Sequence, residues 1–401
     1  MHNVRKVVDD LYWVGANDHD THLFENIHPI PTGVSYNSYL LLDEKTVLFD
    51  TVDWSCCHQF LDNVAYVLDG RDLDYLVINH WEPDHAASMG EILLRYPNAT
   101  VISTEKGFFF MTQFGFHAEK KITVGNGDTF SSGKHNFAFV QIPMVHWPEP
   151  MVTLDLTNGV LFSADAFGSF NALDGKLFAD EVNYDRDWID EARRYLTNIV
   201  GKYGPFVQAV LKQAAELPIK VLCPLHGLIW REDLGYIIDK YDKWSSYTPE
   251  ETGLIICYAS MYGNTAAAAQ LLASEVVKRG QTNVRVYDVS HTHVSYLISE
   301  AFRVSHIALV SCTYNLGIYP RMKDFIADMQ ALNLQNRTFA LIENGTWAPS
   351  ANDKMRAMID EMREMYYVDS DATIVSSVND TTRKDVEAVA EAIVESMKKR
   401  Q

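Results

Sequence analysis

Four residues able to hold a metal ion lie close together in Asn79-His80-Trp81-Glu82-Pro83-Asp84-His85, directly after the apolar run Tyr75-Leu76-Val77-Ile78. Pro83 cannot continue a strand, so the run ends there. Alternate residues of an extended segment point the same way, which lets His80, Glu82 and Asp84 converge, while Asp84 and His85 stand where the next helix begins. The same topology recurs further on: His146 follows 137–142, Asp165 follows 160–162 and His226 follows 220–223. Together these are four imidazoles and three carboxylates, more than one ion needs. Two ions sharing a bridging carboxylate would each have three or four protein ligands and keep an open position for a substrate. No thiolate joins the set, and imidazole mixed with carboxylate suits iron or manganese as well as zinc. Asp84 taken alone reads better as a helix cap. As an ensemble, buried groups of these types need partners to be tolerated. The remaining histidines lack such company and read as structural.

A second constellation lies near the other end of the chain. The apolar run 254–258 leads into Ala259-Ser260-Met261-Tyr262-Gly263-Asn264-Thr265 and then into an Ala-rich helical segment. A strand, a hydroxyl-rich turn and a helix start form a cradle for an anion. The turn has no lysine and no Gly-rich run, as a nucleoside triphosphate loop would have, so a monophosphate such as that of FMN fits better. Two more loops follow apolar runs: Ser311-Cys312-Thr313-Tyr314-Asn315-Leu316-Gly317 and Glu343-Asn344-Gly345-Thr346-Trp347-Ala348. Tyr314 or Trp347 could stack on a planar ring while backbone groups reach its polar edge. Either loop alone is an ordinary Asn/Gly turn. Three on one sheet edge make a flavin site of Ser260, Met261, Tyr262, Gly263, Asn264, Thr265, Thr313, Tyr314, Asn315, Gly317, Asn344, Gly345, Thr346 and Trp347.

Two kinds of element must position these groups. Beyond residue 253, short β-rich runs (254–258, 284–289, 307–311, 339–342 and 373–375) alternate with helical segments. This alternation predicts a doubly wound parallel sheet, whose ligands gather beyond the carboxyl ends of the strands. The earlier part instead reads as strands joined by tight turns, such as a hairpin of 152–156 and 160–162 around Asn158-Gly159, with helices at 86–96 and 187–199. A mixed α/β domain, a sandwich of sheets with outer helices, follows. The polar stretch 245–253 reads as a linker, which divides the chain into domains of 1–248 and 253–401.

A chain of 401 residues accommodates two such domains. Of the net charge of −19, residues 1–252 carry −17 (19 basic, 36 acidic) and 253–401 carry −2 (15 basic, 17 acidic). Such acidity argues against a nucleic-acid partner. No apolar run approaches the ~18 residues that would cross a bilayer, and no apolar segment follows the basic residues of the N-terminus, so the expectation is a soluble, cytoplasmic protein. Five cysteines without a C-x-x-C pair fit neither a disulfide framework nor a four-thiolate metal site.

The His80-x-Glu82-x-Asp84-His85 run resembles the His-x-His-x-Asp-His signature of metallo-β-lactamase-like hydrolases, with Glu82 where their second histidine stands. That departure marks the flavodiiron family, which the chain resembles from about Leu11 to its C-terminus; 144–150 and 161–165 also match the family pattern, and the turn 259–265 looks like the phosphate loop of flavodoxins. The resemblance implies an α/β chain in which a metallo-β-lactamase-like αββα sandwich precedes a flavodoxin-like sheet. It implies that His80, Glu82 and His146 hold one iron, that Asp84, His85 and His226 hold the other, and that Asp165 bridges them. A carboxylate in place of a neutral imidazole favours a higher oxidation state, and so redox work over hydrolysis. The activity implied is reduction of O2 to water or of NO to N2O, using FMN and two non-haem irons. Rubredoxin or a reduced deazaflavin coenzyme is the implied donor, and a head-to-tail homodimer or a dimer of dimers the implied assembly. Tyr195, in a helical stretch between ligand segments, could donate a proton or hydrogen bond near the metals, or simply pack. The rival readings are a dizinc hydrolase with a flavodoxin-like docking module, and an electron-transfer flavoprotein with a structural metal centre.

Overall fold

Phe49 and Phe162 stack with ring centroids 3.7 Å apart, and around them Tyr39, Phe137, Tyr75 and Phe130 complete an aromatic seam between two sheets. The computed structural model, which describes residues 1–400, builds the first sheet in the order Arg5–Val8, Leu11–Trp13, Tyr39–Leu42, Thr46–Phe49, Tyr75–Val77, Thr100–Ser103 and Lys121–Thr123. Its first four strands pair antiparallel and the rest parallel. The second sheet runs Thr129–Ser131, Asn136–Gln141, Met151–Asp155, Val160–Phe162 and Val221–Cys223, the last pair parallel. Helices including Cys57–Leu68 and Gly204–Ala214 accompany these sheets. The sandwich expected from the turn-rich pattern is therefore present, and the family's αββα arrangement with it.

Local departures have physical causes. The hairpin strand ends at Asp155 rather than 156, and only Gly159 takes a positive φ, of 73°. Its N–H bonds to the Asp155 carbonyl, closing a longer loop than a two-residue turn. The helical stretch 86–96 is split into Pro83–Ala86 and Met89–Arg95, and 187–199 into Tyr184–Asp187, Ile189–Tyr195 and a π-turn at Leu196–Val200.

The second sheet system has the order Val284–Asp288, Glu251–Ala259, Val304–Tyr314, Arg337–Asn344, all parallel, with Met365–Tyr367 and Ala372–Ile374 both on the outer edge of Arg337–Asn344. This is the 2-1-3-4-5 order of the flavodoxin-like doubly wound fold. Arg337–Asn344 is buried along its whole length and Val304–Tyr314 as far as Cys312, so they read as largely apolar runs.

Residues 1–196 with 205–241 make one compact unit, and 197–204 with 242–401 the other. The stretch 245–253, read as a linker, is tied into the second unit. Tyr247 is buried, donates from its hydroxyl to the Gly201 carbonyl and gives its own carbonyl to Arg337. Arg337 is itself fully buried and donates to the Ala301 and Phe302 carbonyls at the end of the helix Val294–Arg303. A guanidinium there meets the negative end of the helix dipole.

Candidate functional site

All seven residues singled out as metal ligands come together in the first unit. The strand Tyr75–Val77 is followed by an extended stretch that ends at Glu82, the residue before the helix Pro83–Ala86. Glu82 occupies the cap position but makes no capping bond, which leaves its carboxylate for the cluster. Asp84 stands in the first turn of that short helix and does not cap it either. Asp50 holds this run in place, accepting from the Asn79 N–H, the Asn79 side chain and the His80 N–H. Thr51 anchors the other end by donating twice to the His85 carbonyl. His146, Asp165 and His226 arrive from the loops after Asn136–Gln141, Val160–Phe162 and Val221–Cys223.

The ligand atoms fall into two sets. In the first, His80 Nε2 and His146 Nε2 stand 3.2 and 3.1 Å from Glu82 Oε2, and each lies 3.2 Å from Asp165 Oδ2. In the second, His85 Nε2 and His226 Nε2 stand 3.3 and 3.2 Å from Asp84 Oδ2, and 3.1 and 3.7 Å from Asp165 Oδ1. Asp165 thus turns one oxygen to each set. Ligands about 2.1 Å from a shared ion stand about 3.0 to 3.4 Å from one another, which matches nearly every one of these spacings. In the second set Asp84 Oδ1 and Oδ2, Asp165 Oδ1, His85 Nε2 and His226 Nε2 are buried with no hydrogen-bond partner among the described residues. Polar atoms that crowd together without bonding to one another are aimed at a common point, and a cation is what satisfies them. The donor set fits two metal ions.

Without ions, the charges are held by protons. Burial opposes an imidazolium at His80, yet the Asp165 carboxylate and hydrogen bonds to Asp165, Glu149 and Glu82 push its titration well above the ordinary range. Burial likewise opposes charge on His146, and bonds to Asp165 and Glu82 override it, to about 9. Asp165 is held well below the usual carboxylate range despite its burial, by His85 and His80. Asp84 moves the other way, up to about 7, because burial outweighs the help of His85. Burial lowers His226.

Groups that the sequence did not single out complete the surroundings. Glu149 and Asp50 bond to the His80 segment, and the His226 ring shares a hydrogen bond with the Ser35 carbonyl at 2.8 Å. Glu25, between the two-residue strands Leu23–Phe24 and His28–Pro29, lies against Glu82; burial and Glu82 raise its carboxyl to about 7. Only the position of Glu149 in the segment 144–150 offered a signal. Tyr195 is buried, with its ring 5.5 Å from that of His226 and 5.2 Å from Phe170. Burial raises its hydroxyl well above the ordinary value, which keeps it a neutral phenol.

The flavin candidates gather in the second unit, around a cavity of about 340 Å³ at the carboxyl ends of the parallel strands. Ser260, Met261, Tyr262, Asn264, Thr265, Thr313, Tyr314, Asn315, Asn344, Gly345, Thr346 and Trp347 line it. Cys312, Leu316 and Ser376 join them unforeseen, while Gly263 and Gly317 do not line it. Gly263 works through its backbone: at φ 90° it opens the helix Asn264–Lys278, whose N-terminus has no side-chain cap. Uncapped N–H groups beside the Ser260 and Thr265 hydroxyls suit a phosphate. Gly317 pairs with Tyr314 in the hairpin that shapes the second loop. Asn344, in the third loop, donates to the Thr265 hydroxyl of the first and to the Ser376 carbonyl beyond the strand Ala372–Ile374. Tyr314 is 42% and Trp347 70% exposed, so both rings are open to a planar ligand.

Residues 34–227 match the family described as ODP family beta lactamase, and 256–363 match flavodoxin. The chain is 31% identical over 392 residues to a protein of Aeromonas hydrophila named anaerobic nitric oxide reductase flavorubredoxin, covering 96% of this chain and 77% of that one. A protein of the same name from Pectobacterium atrosepticum is 32% identical over 88% of this chain and 70% of its own length. Among solved structures, the rubredoxin oxygen:oxidoreductase of Desulfovibrio gigas superposes with a TM-score of 0.91 at 26% identity, covering 99% of both chains. The flavodiiron protein of Giardia intestinalis, at 23% identity and a TM-score of 0.87 over 99% of this chain and 98% of that one, has the same fold.

Proposed function

Because this chain belongs to the flavodiiron proteins, we propose that it takes electrons onto FMN and passes them to a pair of irons that reduces O2 to water, NO to N2O, or both. The observation that carries this reading is Asp165, which turns one oxygen to His80 and His146 and the other to His85 and His226. His80, Glu82 and His146 are assigned to one ion and Asp84, His85 and His226 to the other, with Asp165 between them. Bound there, two ferrous ions supply open positions for the gas and two electrons, to which reduced FMN adds two more.

The protein's own groups do the remaining work. Three carboxylates face the four charges of two divalent ions, which leaves a net positive pocket able to hold an anion. The aromatic wall of Phe24, Phe170 and Tyr195 beside His226 keeps that side of the cluster dry. Tyr195, which burial keeps a neutral phenol, can donate a hydrogen bond there. In the second unit the uncapped helix start at Asn264 and the hydroxyls of Ser260 and Thr265 receive the FMN phosphate, and Tyr314 or Trp347 covers the ring.

Rubredoxin, or a reduced deazaflavin coenzyme, is the donor in this reading, the cytoplasm the location, and a head-to-tail homodimer or a dimer of dimers the assembly. No helix among the described residues is long and apolar enough to cross a membrane. Metal and flavin analysis of protein prepared without oxygen tests the reading: two irons and one FMN per chain support it. Stoichiometric zinc with ester or thioester hydrolysis would establish the hydrolase instead, against which Glu82 already argues.

A further inference from the structure

The two sets of metal-binding groups have the same formal composition. Each has two imidazoles, one carboxylate of its own and one oxygen of Asp165. A further inequality between two ions held there can come from outside these groups, and the far ring nitrogens of His80, His226 and His85 show one. His80 Nδ1 lies 2.7 Å from Glu149 Oε1. His226 Nδ1 lies 2.8 Å from a backbone carbonyl, that of Ser35, and His85 Nδ1 has no hydrogen-bond partner among the described residues.

Glu149 is 3% exposed. Its Oε1 also accepts the Trp81 N–H at 3.0 Å, and its Oε2 is buried without a partner. An ionised carboxylate can only accept, so facing Glu149 the His80 ring keeps its proton on Nδ1, and once a metal displaces the other proton it presents the Nε2 lone pair to the cluster. A carboxylate behind a ligating imidazole fixes the ring and makes it a stronger donor. A backbone carbonyl does so less, and an unpartnered nitrogen not at all.

We propose that Glu149 is a positioning residue that makes the two irons unequal, so that the ion held by His80, Glu82 and His146 is the more easily oxidised. The inference rests on the two-iron reading above. When one electron is withdrawn from the diferrous protein, this ion becomes ferric and its neighbour stays ferrous.

Full-length protein loaded anaerobically with iron and FMN is titrated with ferricyanide, each of which takes one electron, and the mixed-valence EPR signal is followed against potential. Glu149→Gln keeps an acceptor for His80 and Trp81 and removes the charge. It is expected to raise the potential of the first step and narrow the range over which the signal accumulates. Glu149→Asp, which keeps the charge, is expected to restore most of that range. A Glu149→Gln protein with two irons and the wild-type range would overturn the proposal. If Glu149→Gln does not take up iron, nitrogen-detected NMR of the wild-type dizinc form decides. A downfield proton on His80 Nδ1 with zinc on Nε2 is expected, and zinc on Nδ1 or a bare Nδ1 would overturn the assignment. Wild-type protein that never holds two ions would sink the two-iron reading and this inference together; two irons with an unchanged range in Glu149→Gln would sink this inference alone.

Discussion

Glu82 and Asp84 are two positions apart yet join different sets of ligand atoms: Glu82 Oε2 stands 3.1 Å from His146, and Asp84 Oδ2 stands 3.2 Å from His226. The change from extended chain to helix at Pro83 produces this divergence. Glu82→Gln and Asp84→Asn are therefore expected to weaken opposite ions, each leaving one tightly held metal per chain and cutting gas reduction by at least about tenfold. Metal analysis after dialysis checks this; loss of both ions together from either variant would contradict it.

Metal binding should expel protons. His80 titrates well above the ordinary range and His146 at about 9 in the metal-free site, so both are protonated at neutral pH and must yield to the ions. Affinity is expected to rise from pH 6 toward pH 9. Calorimetric titration with Zn2+ at pH 7, in buffers of different ionisation enthalpy, should report more than one proton released per chain.

Much of this site was legible because its residues are crowded in sequence as well as in space. His80, Glu82, Asp84 and His85 lie together, and each remaining ligand follows an apolar run. Asp84 shows the limit: read alone it is a cap, and only its two unbonded buried oxygens distinguish it from one. Glu149 and Asp50 were not assigned roles because a carboxylate that supports a ligand has no spacing rule; its role depends on a fold that brings together residues 69 positions apart, as with His80 and Glu149. The strand Met365–Tyr367 escaped notice because it is three residues long and half exposed at a sheet edge. Residues 245–253 read as a linker because the anchor of Tyr247, Arg337, lies far along the chain.

Trp347 offers a test of the flavin cavity. Removing one stacked aromatic costs about 0.5 to 1.5 kcal/mol. Trp347→Ala and Tyr314→Ala can be compared by titrating FMN into flavin-free protein and following flavin fluorescence. The ring that stacks should show up to about a tenfold loss of affinity, and Thr265→Val a loss through the phosphate. Unchanged affinity in all three variants would place the flavin elsewhere.

His306 gives the second unit an acid sensitivity. Burial, with help from Arg400, lowers its titration to about 4, between the hydroxyls of Ser305 and Ser396. The neutral ring is favoured in the fold, so its contribution is complete above pH 6.5 and is lost as pH falls toward 4. Between pH 7.5 and pH 5 this amounts to about 2 kcal/mol. Urea denaturation at the two pH values should show that loss in the wild type and much less of it in His306→Gln.

Gas reduction itself is the most direct test of the central claim. Protein holding iron and FMN is reduced fully with dithionite, freed of excess reductant and mixed with O2 or NO in a stopped-flow instrument. The account predicts that flavin and metal are reoxidised together by at least one gas, with water and no hydrogen peroxide from O2 or with N2O from NO, and that Glu82→Gln abolishes the fast phase. Slow flavin reoxidation that releases hydrogen peroxide at the same rate in the presence and absence of iron, with no N2O formed from NO, would contradict it.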